Sequence, residues 1–581
     1  MPTQSRKKKE FVEFQKRGTF LFFVVFLFSL FLLTNLFFLQ ILRGEYYREQ
    51  AEHQYLGYTG NTFRRGSIFF QGLNRELTIA AGQKQGEKLI VNAQKISKED
   101  LRTIYPLLKK LSYQKSFEET WNLLMKLKRN GNRYYELIRH IDSSDNDSLR
   151  KIIKELDSFS LDPDTWRFYP FQESGAQTIG FLANGDDNLY RGRYGLERFY
   201  DEILQRKDEQ SYENFFVLLF RGLKDGGVLK EGDVITSIDP EIQFALDEQI
   251  QAIHTKWNSQ LTGGFIMDAQ NGEIYGIDAL PSYDPNTFSR FSLSRFRNPL
   301  VSNHYEFGSV MKPIVMAIAL DNKFVTADTS YYDRGSVQVG KHTIRNFDNK
   351  GRGWVTMQDV LNQSLNTGMV FVSKKIPKKV FRDYFRRYGF TEKSGIDLPG
   401  DGPGLTQNLK SPRDIEFANM SFGQGIALSP VSFVKGFSAL AHGGVPVQPH
   451  VMRSIHYTSG IEQSAKVNEE TRVLSEETAG EISRMLVNVF DSYHGGKWKF
   501  PHYRIAAKTG TAQLAKPGGG YDEKKHLHSF VAYFPAYQPR YIVFLFTVDP
   551  KGVKYSSQTL IEPFRNLARF LINYAQIPPD R

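Results

Sequence analysis

The sequence predicts an α+β protein in two parts behind a single N-terminal membrane helix. Three observations carry that prediction. A basic tail (residues 1–17) runs into an uncharged apolar stretch (residues 18–42). Residues 43–228 then mix short β-like pieces with charged helical stretches. Residues 229–581 place helical patterns both before and after strands joined by hairpin-type turns, the pattern of an antiparallel sheet packed with helices. At 581 residues the chain is too long for one core, and two or three domains of roughly 100–200 residues are expected. Hydrophobic content of 40% with 24% charged residues excludes wholesale disorder. With no cysteine, the chain cannot form disulfides, thiolate zinc sites, iron–sulfur clusters or cysteine nucleophiles. No repeat of solenoid period is present.

The tail carries Arg6, Lys7, Lys8, Lys9, Lys16 and Arg17 against Glu10 and Glu13, a local charge of +4. Positions 19–42 carry no charge. As a helix at ~1.5 Å per residue they would extend about 36 Å, enough to cross a ~30 Å hydrocarbon core with some tilt. Basic residues ahead of the run place the N-terminus in the cytoplasm. A cleaved signal peptide has a shorter apolar core, ~7–15 residues, and ends at small residues. Here Phe37, Phe38 and Leu39 lead into Gln40, Ile41, Leu42 and Arg43. An uncleaved, single-pass anchor is therefore expected, with the rest of the chain outside the cytoplasmic membrane. A net charge of +12 favours anionic partners such as membrane lipid. Export past the membrane argues against nucleic acid.

Within residues 43–228, positions 66–70 and 88–91 read as strands, and positions 117–129 and 149–156 as helices with apolar residues at three-to-four spacing. The polar cluster 142–148 reads as a loop or cap. Glycine-rich residues 222–232 read as a linker and put the domain boundary near 225–232. Beyond it, residues 263–277 hold two apolar runs split by Asn271-Gly272, a hairpin signal. A helix from Ser309, a polar helix over 356–374, strands at 529–533 and 541–548, and a closing amphipathic helix over 560–574 complete the pattern.

A Ser-x-x-Lys tetrad is chemically useful when both side chains face one way, and on a helix positions i and i+3 do. Such tetrads begin at Ser5, Ser112, Ser148, Ser309 and Ser432. Ser5 lies in the tail, Ser112 and Ser148 in charged stretches typical of a solvated face, and Ser432 in a run that reads as a packed helix. Ser309 differs: Gly308 precedes it and an apolar helix follows, so its hydroxyl lies at the positive end of a helix dipole. Taken alone it still reads as the cap of a core helix. Two further elements change that reading. Ser364-Leu365-Asn366 sits in a polar helical stretch, and Lys508-Thr509-Gly510-Thr511 in a strand whose glycine allows close substrate approach. A second Ser-x-Asn, Ser144 to Asn146, precedes every credible nucleophile and is set aside.

The order Ser-x-x-Lys, Ser-x-Asn, Lys-Thr-Gly resembles that of the penicillin-recognising serine acyltransferases. The chain is most similar to class B penicillin-binding proteins, monofunctional peptidoglycan D,D-transpeptidases, over nearly its whole length beyond the anchor. Arg64-Arg65-Gly66-Ser67-Ile68, Arg167-Phe168-Tyr169-Pro170 and residues 192–197 look like that family's pedestal motifs. Residues 237–239, 268–274 and 423–430 look like its transpeptidase landmarks. Phe307 stands where proline is usual, and Asp401 where glutamate is commoner.

The resemblance implies a serine β-lactamase-like catalytic domain (residues 229–581) on a dimerisation-type pedestal (residues 43–228). It implies Ser309 as nucleophile and Lys312 as its base, with Lys508 and desolvation depressing the lysine's pKa. Ser364 would relay the proton and Asn366 hold the substrate amide. Lys508, Thr509, Gly510 and Thr511 would bind the terminal carboxylate, and the N–H groups of Ser309 and Thr511 would form the oxyanion hole. Neither cofactor nor metal is implied. The implied partners are D-Ala-D-Ala stem peptides, β-lactams as inhibitors and a SEDS-family glycosyltransferase, in division rather than elongation. A D,D-carboxypeptidase, a β-lactamase-like hydrolase and a scaffolding β-lactam-binding protein remain as alternatives.

Two other motifs are weaker. Residues 335–342 mimic a phosphate-binding loop, but His342 stands where a magnesium-reaching Ser or Thr belongs. His526 and His528 lack a third metal ligand at recognisable spacing, and read as a loop before a strand.

Overall fold

The structure, a computed structural model, describes residues 27–30, 32, 64–111, 113–142, 147–184, 190–206, 231–468, 470–516 and 518–581. The basic tail, most of the apolar run, Ser112, Ser144 and most of the 222–232 linker lie outside these residues. Among the described residues no helix is long and apolar enough to cross a membrane.

The chain divides into two units, one formed by Met1–Phe63 and Lys84–Trp166, the other by Arg64–Gln83 and Arg167–Arg581. In the smaller unit, helices Lys98–Lys110 and Phe117–Arg129 each begin with a capping box. Ser97 pairs with Asp100 and Ser116 with Glu119, satisfying backbone N–H groups that the first turn leaves open. Their apolar stripes (Leu101, Ile104, Leu108, Leu124) bury against Leu89, Val91, Leu137 and Ile141 of the neighbouring strands. The expected helix at 149–156 runs instead over Asp147–Ile153.

The larger unit is organised by a five-stranded antiparallel sheet. Its strands are β1 (Leu261–Asp268), β2 (Ile274–Leu280), β3 (Ala506–Ala515), β4 (Tyr521–Phe534) and β5 (Tyr541–Val548), in the order β3-β4-β5-β1-β2. The Asn271-Gly272 signal marks the β1–β2 hairpin, with Gly272 at φ +84°. Alternate residues serve two cores. Phe530, Ala532, Val543 and Leu545 meet Ile242, Leu246 and Ile250 of α1 (Pro240–Lys256), together with Phe564 and Leu567 of the closing helix Ile561–Tyr574. Val531, Tyr533, Phe544 and Phe546 join the opposite core with Val310, Ile314 and Phe433. Burial on both faces is why residues 541–548 read as an unbroken apolar run. The α+β sandwich thus has helices on both faces of one sheet.

Three local expectations need correction. The helix expected from Ser309 opens as a 3₁₀ turn, Gly308–Met311, and becomes α-helical only in α2 (Lys312–Asp321). The single polar helix expected over 356–374 is two, α3 (Met357–Asn362) and α4 (Asn366–Lys375), broken at Ser364, whose φ is +54°. His526 and His528 lie inside β4, not in a loop before it. The ring nitrogens of His528 are taken up by the Thr559 hydroxyl at 3.0 Å and the Lys554 carbonyl at 3.0 Å.

A buried ion cluster ties Arg65, Arg167 and Glu197 together within the larger unit. The Glu197 carboxylate, fully buried, takes hydrogen bonds from Arg65 Nε (2.7 Å), Arg167 Nε (2.6 Å) and Tyr169 Oη (3.2 Å). Burial alone would raise its pKa, yet the two guanidinium charges hold it below the ordinary range. Glu197→Gln, which removes the carboxylate that pairs with Arg167 and leaves Arg65 with Asp201 at 2.8 Å, is expected to cost about 3–5 kcal/mol of stability. Denaturant unfolding followed by tryptophan fluorescence checks this, and a loss below about 1 kcal/mol would contradict it.

Candidate active site

The nucleophile turn is held from three sides. Gly308 donates its N–H to the Gly423 carbonyl at 3.1 Å. Ser529 on β4 donates its hydroxyl to the Phe307 carbonyl at 2.8 Å. The Phe307 ring is buried against Phe433 and Phe544. Gly308 has φ +65°, and a Cβ there would lie 2.9 Å from the Thr511 carbonyl oxygen. A Cβ on Gly510 would come within 2.4 Å of the Phe307 carbonyl oxygen. Glycine at both positions lets the backbone of the turn press against the backbone of the edge strand β3.

Because Gly308–Met311 is a 3₁₀ turn, Ser309 and Lys312 lie one turn apart in near-eclipsed positions. The Lys312 backbone N–H bonds to the Ser309 carbonyl, closing the turn. Ser309 is half-buried, while Lys312 is wholly buried. The Lys312 amine donates to the Ser364 carbonyl at 2.5 Å, to Asn366 Oδ1 at 2.8 Å and to Ser364 Oγ at 3.2 Å. The helix break at Ser364 makes this possible, since a continuous helix would keep that carbonyl for itself. From β3, the buried Lys508 amine reaches the same Ser364 Oγ at 3.1 Å and the Thr509 carbonyl at 3.2 Å. One hydroxyl therefore stands between two amines.

Among the described residues neither amine has a carboxylate close by to offset its burial. Desolvation, with the Lys508 charge added, pushes Lys312 well below the ordinary lysine range. Desolvation brings Lys508 down to about 7. Both shifts favour the neutral amine.

The expected residues Lys312, Ser364, Asn366 and Lys508 thus meet directly, and Ser309 lies on the turn that β3 contacts. Thr509 Oγ1 is 2.5 Å from Tyr493 Oη, and Thr511 Oγ1 is 3.2 Å from Ser556 Oγ. As the edge strand, β3 turns one side of its backbone away from the sheet. Several supports were not legible in the sequence. Ser529 carries no motif, and Tyr493 and Ser556 are remote in sequence. Asn366 donates to the Arg345 carbonyl at 3.0 Å, while Asp333 binds Thr367 Oγ1 (2.7 Å) and Asn346 Nδ2 (2.9 Å) beneath the Ser364 loop.

Crowding at Gly510 can be tested directly. Gly510→Ala should drive the turn and β3 apart, and lower the rate of acylation at Ser309 by at least about 100-fold, given how steeply rate depends on reacting geometry. Thermal unfolding should show a folded protein. A variant as reactive as wild type would mean the close approach is unimportant.

Comparison with known proteins matches residues 64–214 to a penicillin-binding protein dimerisation domain and residues 262–568 to a penicillin-binding protein transpeptidase domain. Stage V sporulation protein D of Bacillus subtilis is 30% identical over 426 residues, covering 71% of this chain and 65% of that protein. A peptidoglycan D,D-transpeptidase FtsI homolog of Mesostigma viride is 29% identical over 462 residues, covering 74% of this chain and 76% of that one. Among solved structures, penicillin binding protein 3 from Mycobacterium tuberculosis aligns with a TM-score of 0.64 at 25% identity, covering 72% of this chain and 92% of that chain. Penicillin binding protein 2X from Streptococcus thermophilus shares the fold at a TM-score of 0.69 and 20% identity, over 88% of this chain and 79% of that chain.

Proposed function

The chain belongs to the class B penicillin-binding proteins and carries a serine-type peptidoglycan transpeptidase domain; on that premise we propose that it cross-links stem peptides through an acyl-enzyme on Ser309. The observation that carries this reading is the Ser364 hydroxyl held between two buried amines, that of Lys312, one turn from Ser309, and that of Lys508 on β3.

A serine hydroxyl is a weak nucleophile at neutral pH and needs a base. Neutral Lys312 takes the Ser309 proton as Oγ bonds to the carbonyl carbon between the two terminal D-alanines. N–H groups of Ser309 and Thr511 face the developing oxyanion, each such donor being worth roughly 3–4 kcal/mol of barrier. The proton passes by way of Ser364 to the departing amine, the C–N bond breaks, D-alanine leaves, and a serinyl ester remains. Asn366 orients the peptide amide, and protonated Lys508 with Thr509 and Thr511 holds the terminal carboxylate. The amine of a second stem peptide then attacks the ester, loses its proton to Lys312 and restores the Ser309 hydroxyl. β-Lactams enter the same first step and leave an ester that no acceptor resolves.

The reading extends to residues 18–42 as an uncleaved anchor in the cytoplasmic membrane, with the catalytic domain outside. It extends also to a role in division beside a polytopic SEDS-family glycosyltransferase. The basic tail ahead of an uncharged run supports the first, and the Ser-x-Asn form of the middle motif supports the second. A fluorescent fusion should gather at septa, with filaments forming on depletion; lateral labelling with rounded cells would assign it to elongation.

Mass spectrometry of the intact protein after benzylpenicillin treatment should show one adduct, mapping to the peptide that contains Ser309 and absent from Ser309→Ala. An adduct elsewhere, or none, refutes the mechanism. Against a hydrolase, purified stem-peptide substrate should yield dimer together with D-alanine rather than D-alanine alone.

The pH dependence follows from the two lysines. Lys312 acts as the neutral amine, so acylation rises as pH climbs through its depressed pKa. Lys508 binds the carboxylate as the cation, so the second-order rate falls again as pH passes about 7 in the free enzyme. Lys508→Arg, charged throughout, should carry the falling limb to higher pH. A rate that rises without a maximum between about pH 5 and 9 in wild type would contradict these roles.

A further inference from the structure

Beside the strand that carries Thr511, the larger unit has an open hollow of about 380 Å³ lined by Lys524, Lys525, His526, Asp549, Lys551 and Lys554. All four lysines are exposed. Lys551 reaches the buried Asp549 carboxylate at 2.5 Å, which leaves three lysine charges facing one rim. Acidic side chains stand close by: Asp522 and Glu523 lie on the same strand, and the Asp522 carboxylate takes the backbone N–H of Lys524 at 2.9 Å and feels the Lys525 charge, but the hollow's own lining sets four lysines against the single carboxylate of Asp549.

Both walls of the hollow lead straight to Thr511. On one side, His528 of β4 pairs with Thr511 of β3, and His526 pairs with Gln513. Side chains two apart in a strand share a face, so His526 stands about 7 Å along that face from His528. On the other side, the Lys554 carbonyl accepts from His528 Nε2, and two residues later the Ser556 N–H bonds to Thr511 Oγ1 at 3.2 Å. The positive rim is thus built onto the two segments that present the Thr511 hydroxyl.

We propose that this hollow steers the donor peptide's terminal carboxylate, or the carboxylate of a β-lactam, toward the grip of Thr509 and Thr511. The inference rests on the acyl-transfer reading above. The lysines touch no reacting atom. They raise the local concentration of an anion at the mouth of the site, as a cluster of one sign does at a cleft, and they act on encounter rather than on chemistry. Such an effect is screened by salt, because the Debye length shrinks from ~30 Å at about 0.01 M to ~3 Å at about 1 M.

Stopped-flow acylation by benzylpenicillin tests this on the full chain and on Lys524→Gln/Lys525→Gln/Lys554→Gln, which leaves the Lys551–Asp549 pair in place. In wild type the second-order rate should fall about tenfold across that salt range. In the triple variant it should start low and stay nearly flat, while the first-order acylation step at saturation is the same. The triple Arg variant should restore the salt dependence, and a penicillin methyl ester should show none in any protein. An unchanged salt slope in the Gln variant, with normal labelling of Ser309, overturns the steering role alone. Absence of labelling at Ser309 at every salt concentration overturns the acyl-transfer reading and this inference with it.

Discussion

Two lysine amines buried around one serine hydroxyl, with no carboxylate among the described residues to balance them, are the constraint on which the site depends. A buried ammonium is costly, and two close together cost more than the sum of each alone. The fold answers by surrounding them with oxygens: the Ser364 carbonyl and hydroxyl, Asn366 Oδ1 and the Thr509 carbonyl. That arrangement leaves Lys312 inclined to be neutral and Lys508 poised near 7. One residue type thereby supplies both a base and a cation, since burial lowers both amines and their mutual repulsion disfavours charging the two at once.

The geometry that makes this useful comes from backbone contact rather than from long side chains. Gly308 against Thr511, Gly510 against Phe307 and Gly423 against Gly308 bring three segments far apart in sequence within contact of one another. Each would be blocked by a methyl group. Around them, the Asp333–Asn346–Thr367 network and the Ser529 bond fix the Ser364 loop and the nucleophile turn on separate supports. A site built in this way is stiff, as acyl transfer with a preorganised oxyanion site requires.

Much of the fold could be read from local pattern. The Asn271-Gly272 hairpin, the strand at 541–548 and the helix at 117–129 fall where turn chemistry and periodicity place them. The break at Ser364 could not be read in this way. Positions 356–374 keep a helical pattern through it, and the carbonyl that the break frees is bonded by the Lys312 amine, 52 residues away in sequence. The loop expected around His526 and His528 failed for a related reason: polar residues there sit in a strand because β3 and β5 flank it on both sides.

The chain's own order of residues was enough to show which chemistry is on offer: a serine with a lysine three positions on, a Ser-x-Asn and a Lys-Thr-Gly, each using residue types that acyl transfer needs. It also showed the strand at 541–548 and the hairpin at Asn271-Gly272, because turn residues and side-chain alternation act over a few positions. Tertiary structure alone decided how those motifs meet, how deeply the amines are buried and which segments belong to the larger unit. Those properties arise from desolvation and from contacts between segments far apart in sequence, as between Arg65 and Glu197, 132 residues apart, and no local window of sequence contains them.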